Sequence, residues 1–215
     1  GTPVYDDWKA GRFKPLTTEG AARIICDFKK TIPKYVRIMR IQRDIPTNQT
    51  EGGVDRTNLR QYVDQLCKKE GIKCRCIRCR EVGRAKKVEK AEITVTEYGA
   101  SDGKEFFIAA EDLKNDVILG FARLRFPSQF LRKEITKDSA LIRELHVYGD
   151  TAGVGEKSIA KHQHKGWGRK LLERAEQIAK KSGKKKIIII SGIGVREYYK
   201  KLGYKREGPY MVKKV

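Results

Sequence analysis

An α+β fold with a mixed, mostly antiparallel sheet flanked by helices is predicted, on three observations. From Ala91 onward, short stretches of β-branched and aromatic residues alternate with turn residues. Residues 168–182 carry apolar side chains at helical spacing through Leu171, Leu172, Ala175, Ile178 and Ala179. Ile187 to Ile190 is an unbroken apolar run, the signature of a strand buried on both faces. At 215 residues the chain is long enough to bury a substantial core. The texture changes near residue 90, so the predicted domains are 1–90 and 91–215.

The elements follow in order. Residues 17–30 read as a helix with Ala21, Ile24, Ile25 and Phe28 on one face. Tyr35 to Ile41 reads as extended, between Pro33 and Pro46, and Thr47 to Asp55 as a loop. Residues 56–70 read as a second helix through Leu59, Tyr62, Val63, Leu66 and Cys67, closed by Gly71. Strands are expected around Ile93 and Val95, at Glu105–Ala110, Val117–Phe126 and Leu141–Tyr148. Ser101-Asp102-Gly103 and Asn115-Asp116 are the turns of that meander. Helix 168–182 stops at Gly183; a short helix from Val195 to Leu202 ends at Gly203, and Tyr210–Lys213 is the last strand.

Lys plus Arg is 48 against 27 Asp plus Glu, a net charge of +21. Residues 31–90 carry +9 and residues 161–215 carry +13, while 91–160 carry −3. Two basic blocks around a near-neutral core favour a polyanionic partner; a lysine-rich thermophilic surface is the alternative. The densest stretch, Lys68–Lys90, includes Arg75, Arg78, Arg80, Arg84, Lys86 and Lys87. Guanidinium groups fork onto phosphate oxygens, which makes these six the candidate nucleic-acid contacts. No apolar run reaches membrane-spanning length and no leader pattern opens the chain, so no membrane partner is expected. The first residue is not Met, and a fragment of a longer protein is expected.

Five cysteines, three within six residues, suit a reducing cytoplasmic setting better than a disulfide framework. Cys74, Cys76 and Cys79 supply three of the four soft ligands of tetrahedral zinc. Cys26, Cys67, a histidine or water is left to complete the set; three free thiols in a strand are the alternative. Gln163-His164-Lys165-Gly166-Trp167-Gly168 leads into the amphipathic helix, with Arg169 and Lys170 behind it. Glycines there let an anion approach the unpaired amides of a helix start, where the dipole adds positive charge. An ordinary helix start fits the hexapeptide equally well. A Walker A loop is absent, and Gly192-Ile193-Gly194 lacks the third glycine of a dinucleotide fingerprint, since residue 197 is Glu.

The order of meander, strand, Gln-x-x-Gly-x-Gly helix, buried strand, short helix and strand resembles the GNAT acetyltransferase core. The resemblance extends further, through Arg143–Gly149, Gln163–Gly168, Ser191–Tyr199, Gly203-Tyr204 and Gly208–Val212, and upstream through Tyr35–Arg40 and Cys79–Gly83. These segments are similar to the catalytic subunits of Elongator, a family of tRNA-modifying acetyltransferases, in an archaeal or bacterial single-chain form. The resemblance implies acetyl-CoA held by Gln163, Lys165, Gly166, Trp167, Gly168, Arg169 and Lys170. It implies a pantetheine path along Glu144, Leu145, His146 and Val147, in a gap between Leu141–Tyr148 and Ile187–Ile190. A strand backbone there can pair with pantetheine amides and polarise the thioester.

Four residues are candidates for chemistry. Tyr199 is favoured over Tyr198 as donor to the departing CoA thiolate, and core packing is the alternative for both. Glu144 is expected to position a water, or to act as base if desolvated, and His146 is either reactive or a packed or surface imidazole. The family also carries a radical-SAM domain, with S-adenosylmethionine and a [4Fe–4S] cluster. Nothing here fits that cluster's cysteine triad, so both belong to the intact protein only. Residues 1–90 are then the remnant of that domain plus a zinc-binding linker, and 91–215 the acetyl-CoA domain. The implied function is C5 carboxymethylation of a tRNA wobble uridine from acetyl-CoA, with the anticodon arm held by the basic blocks. A protein lysine acetyltransferase is the alternative, and a dimer or an Elongator-type assembly is a further expectation.

Overall fold

The computed structural model describes residues 1–42, 45–83, 87–148 and 166–215, which form two compact units, Gly1–Cys79 and Arg80–Val215. The first unit is helical: α1 (Pro3–Lys9), α2 (Thr18–Thr31) and α3 (Leu59–Lys69), with α4 (Ile77–Arg80) at its end. Thr17 caps α2 by accepting the Gly20 amide at 3.1 Å. Ala22 and Cys26 of α2 meet Val63 and Cys67 of α3 in a small core that includes Ile41 and Leu59. Lys29 is buried one turn further on and its ammonium lies 2.6 Å from Asp64 of α3.

That packing corrects the expected face of α2. Ala21 is buried, but Ile24 and Phe28 are more than half exposed. Small residues at 22 and 26 let α2 approach α3, and the Lys29–Asp64 pair fixes the same side inward, which turns Ile24 and Phe28 outward. Residues 36–41 join no strand, although Val36 accepts the Ile77 amide at 2.9 Å. Helix α1 was missed; its apolar residues are few and none is buried.

The second unit is a seven-stranded sheet. Its strands are β1 (Glu92–Ala100), β2 (Gly103–Asp112), β3 (Val117–Phe126), β4 (Ser139–Val147), β5 (Lys186–Ile189), β6 (Lys205–Glu207) and β7 (Tyr210–Lys214), in the order β1-β2-β3-β4-β5-β7-β6. The meander β1–β4 is antiparallel and β4–β5 is the one parallel pair. The β1–β2 turn is two residues long, with Ser101 and Asp102 at φ 45° and 54°, the left-handed pair a tight hairpin requires. Helix α5 (Trp167–Lys181) precedes β5 and lays Leu171, Leu172, Ala175 and Ala179 on the sheet. These meet Ile108, Leu119, Leu124, Ile142, Ile187 and Met211 in the main core. Helix α6 (Arg196–Lys201) follows β5, a little shorter than the pattern predicts.

Arg80 opens this unit. Its guanidinium is buried and paired with Glu111 and with Asp116, the latter at 2.8 Å. Thr94 donates to the other Glu111 oxygen at 2.6 Å. Asp112 accepts from Asn115 and from the amides of Glu89 and Lys90, and these bonds hold its carboxyl well below the usual range. Arg80, Glu89 and Lys90, expected with the first domain, are therefore tied to the β2–β3 hairpin.

Candidate functional site

The site begins where two parallel strands part. β4 and β5 pair from Ser139↔Lys186 to Ile142↔Ile189 and no further. β4 continues to Val147, bonded to β3 alone. Among the described residues no strand pairs with the β5-side edge of residues 143–147, so that edge offers main-chain groups to a ligand. A register shift between Arg123 and Leu124 makes Arg143 the extra residue of a bulge. Arg143 and Glu144 consequently share one face: Arg143 donates to Glu105, and Glu144 accepts from Arg123 Nε at 3.0 Å. Leu145 returns to the α5 side and packs against the main core.

Three elements converge at Gly168. A Cβ there would stand 2.8 Å from the Tyr198 hydroxyl and 3.7 Å from Val147 Cγ2. The first turn of α5, the end of β4 and α6 thus meet at a residue where any side chain would displace the Tyr198 ring. Gly166 precedes them at φ 96°, as the N-cap of α5 with no side-chain cap. No acidic residue lies in the first turn, and the positive end of the helix dipole there favours an anion. Lys170 holds its ammonium 4.5 Å from the centre of the Trp167 ring, and Arg169 pairs with Glu173 at 2.7 Å. Gln163 and Lys165 lie outside the described residues.

The two tyrosines differ in burial. Tyr199, favoured from the sequence, is 6% exposed and packs in the main core against Tyr204. Tyr198 is 41% exposed, with its hydroxyl at the start of α5. Adjacent helical residues point about 100° apart, and here the first of the two faces the gap. Burial pushes both phenols above the ordinary tyrosine value, so Tyr198 keeps its proton at neutral pH and can donate it. Glu144 is half-exposed and ion-paired, without the desolvation a general base needs. His146 is exposed, with its ring 4.4 Å from Tyr148 and 6.0 Å from Phe121.

Sequence reasoning missed the charged network behind Glu144. Arg123 sits over the rings of Phe107 and Phe121 and donates to Tyr98 Oη at 3.0 Å. Tyr98 donates to Glu105 at 2.8 Å, and Arg125 does so at 3.0 Å. Burial alone would raise the Glu105 carboxyl; the Tyr98 and Arg125 hydrogen bonds and the Arg143 charge hold it below its usual range. The signal available was Glu105, Arg123 and Arg125 standing inside otherwise apolar strands.

Cys74, Cys76 and Cys79 bring their Sγ atoms within 4.8 Å of one another. Cys76 is fully buried, and hydrogen bonds from Cys74 and Cys79 hold its thiol below the usual cysteine range. The two donors are pushed up in return, Cys74 chiefly by Cys76 and Cys79 chiefly by Cys74. Three soft donors on one turn fit a thiophilic tetrahedral ion. Cys26 and Cys67 do not join them. Both are buried between α2 and α3, where Cys26 reaches the Val63 carbonyl at 3.5 Å and burial pushes the Cys67 thiol up to about 12.

The candidate nucleic-acid residues divide. Arg75 and Lys87 are exposed and Arg78 is half-buried. Arg80 is withdrawn from the set, because its charge is spent on Glu111 and Asp116 in the interior. Arg84 and Lys86 lie outside the described residues.

Comparison with known proteins decides the family. Residues 75–204 match the acetyltransferase (GNAT) family, and residues 1–69 match the radical-SAM C-terminal domain. The chain belongs to the GNAT acetyltransferase family. It is 50% identical to a tRNA uridine(34) acetyltransferase of Methanocaldococcus jannaschii over 99% of this chain and 41% of that protein. It is 40% identical to Elongator complex protein 3 of Saccharomyces cerevisiae, over 100% of this chain and 40% of that one. The solved structure of archaeal Methanocaldococcus infernus Elp3 with an N-terminal deletion superposes at a TM-score of 0.89 and 46% identity. That match covers 100% of this chain and 53% of the other. The chain thus spans about two fifths of the length of the named relatives. Among the described residues, no helix is long and apolar enough to cross a membrane.

Proposed function

We propose that this chain is the acetyl-CoA-binding and tRNA-contacting part of an enzyme that modifies the wobble uridine of tRNA. One observation carries the reading: the glycine-led start of α5, the β4 edge that no described strand pairs and the Tyr198 hydroxyl meet at Gly168. The amides following Gly166 take the coenzyme diphosphate, and the β4 edge from Glu144 to Val147 pairs with the pantetheine. Tyr198 donates its proton to the departing thiolate as water cleaves the thioester to acetate and free CoA. The names of the relatives supply the acceptor, a tRNA uridine. In the longer protein the acetyl group is instead the source of the C5 carboxymethyl group, with S-adenosylmethionine and the iron–sulfur cluster held by other residues.

The cysteine triad is proposed to hold a structural zinc ion. Three sulfur atoms within 4.8 Å of one another offer most of a tetrahedral shell, and the metal would cross-link the turn. Arg75, Arg78 and Lys87 are retained as phosphate contacts for the anticodon arm. Five cysteines without a disulfide fit action in the cytoplasm.

Two measurements test this. Calorimetry with a non-hydrolysable acetyl-CoA analogue is expected to give one site per chain. Thiol release from acetyl-CoA is expected to rise with added tRNA and not with a lysine-rich peptide. No binding of the analogue overturns the coenzyme site; stimulation by the peptide alone turns the reading to a protein acetyltransferase.

A further inference from the structure

The second unit carries a groove that the coenzyme site does not use. It lies between the C-terminal half of α5 and the ends of β1, β2 and β3, with a volume of about 780 Å³. It shares no residue with the Gly168, Val147 and Tyr198 cluster. Its floor is aromatic and apolar: Phe106 and Phe126 stand edge to face at 5.0 Å, beside the exposed face of Val95. Its rim is cationic. Arg174 and Lys181 come from α5, Lys184 from the turn after it, and Lys104 from β2. Glu97 is the one carboxylate of the lining, and Lys104 already pairs with it at 2.6 Å. The Lys184 ammonium lies 5.0 Å above the Phe126 ring, so charge and aromatic surface are presented together.

Stability does not explain this arrangement. Lysines near the C-terminus of α5 complement the helix dipole, which accounts for Lys181. Arg174 sits mid-helix, and Lys104 stands on a strand, yet both face the same groove. Nor is it the basic block beside the cysteine cluster, whose residues lie between Lys68 and Lys90.

We propose that this groove is a second RNA seat, taking a single-stranded or looped segment. Its phosphates lie along Arg174, Lys181 and Lys184, and a base rests on the Phe126 and Val95 surface. Single-strand RNA sites combine a cationic track with an aromatic platform in this way. The volume falls within the range of pockets for small planar ligands, about 300–1,000 Å³. Charge complementarity selects a polyanion, and the aromatic floor selects a polyanion that carries flat rings. The inference rests on the RNA-acting reading above.

The test is fluorescence anisotropy of a labelled single-stranded RNA and of tRNA at several salt concentrations. It compares the chain with Arg174→Glu/Lys181→Glu and with a control of equal charge change, Lys205→Glu/Lys214→Glu. The groove variant is expected to bind single-stranded RNA at least about tenfold more weakly. Its log affinity against log salt should flatten by about 1.4, from two phosphate contacts at roughly 0.7 each. The control should change less than about twofold, and both variants should bind the acetyl-CoA analogue like the parent. If both variants lose RNA equally, or neither does while the parent binds it, the groove assignment is overturned and the enzyme reading stands. If a poly-glutamate peptide displaces RNA from the parent but not from the groove variant, the occupant is an acidic protein segment and the assignment is again overturned. If the parent binds no RNA yet keeps the analogue, the RNA reading fails first.

Discussion

The two units solve the problem of staying folded differently. Gly1–Cys79 has a buried cluster of six residues, two of them cysteines, whereas Arg80–Val215 has a cluster of seventeen between α5 and one face of its sheet and a smaller one of Leu141, Ile188 and Val212 on the other. A helical unit of that size with so small an apolar centre needs a cross-link, and its three converging thiols are the available one. The sheet unit is self-sufficient in apolar contacts, and places its irregularities, the bulge at Arg143 and the parting of β4 from β5, where the coenzyme is proposed to lie. One unit therefore directs its sulfur chemistry to structure, and the other directs its structural defects to chemistry.

Removing the proposed metal breaks the comparison most directly. Each unit has one tryptophan, Trp8 in the first and Trp167 in the second. A strong chelator or Cys76→Ser is expected to abolish the cooperative transition followed through Trp8. Structural zinc in small domains supplies on the order of 10 kcal/mol. The Trp167 transition and binding of the coenzyme analogue should persist. If both tryptophans report one shared transition, the units are not independent in the way drawn above.

Buried charge is the next point of contrast. The first unit buries Lys29 against an exposed Asp64, while the second buries Glu105 beneath Tyr98, Arg125 and Arg143. Glu105→Gln removes the anion from that group and is expected to cost on the order of 3 kcal/mol at neutral pH. The sign with pH follows from the direction of the shift. A carboxyl held below its usual range stabilises the fold at pH above about 4.3, and that contribution is lost as pH falls through the lower folded value. The parent should therefore lose stability on the acid side more steeply than the variant. Denaturant titrations read through Trp167 from pH 7 to pH 3 check this, and parallel profiles would sink it.

Much of this was legible because it is written in periodicity. Leu171, Leu172, Ala175 and Ala179 mark α5, and the isoleucine run marks β5, whichever partner they meet. What stayed hidden depends on partners distant in the chain. Arg80 reads as one more cation in a basic block until Glu111 and Asp116 close on it from 31 and 36 residues away. Ile24 and Phe28 fit a buried stripe until Lys29 finds Asp64. The bulge at Arg143 sets two neighbouring side chains on one face, which a period of two cannot express. Likewise, nothing in Tyr198-Tyr199 says which ring turns inward.

That last ambiguity gives a smaller and sharper test. Tyr198→Phe is expected to slow thioester cleavage at least about tenfold, roughly 1.4 kcal/mol in the barrier, with analogue affinity unchanged. Tyr199→Phe should leave the cleavage rate within about twofold. Because burial raises the Tyr198 phenol, the parent's rate should stay level up to the ordinary tyrosine value near pH 10 and fall only beyond it. An equal loss in both variants would return the donor role to Tyr199 or to neither.

The smallest effect separates the units by function alone. Gly71 follows α3 at φ +67° and Gly166 caps α5 at φ +96°, and among the described residues a Cβ at either would meet nothing within 4 Å. Alanine at each position pays only the left-handed backbone strain, about 1–2 kcal/mol, so the two substitutions are matched in physical cost. Gly71→Ala should lower the Trp8 transition by a few degrees and leave analogue binding untouched. Gly166→Ala should lower the Trp167 transition by a similar amount and also weaken the analogue, because a backbone relaxing toward negative φ turns the first amides of α5 away from the diphosphate. Asparagine, which tolerates the left-handed region better, should recover part of both losses. Equal analogue affinity in the two alanine variants would mean that the start of α5 holds no phosphate.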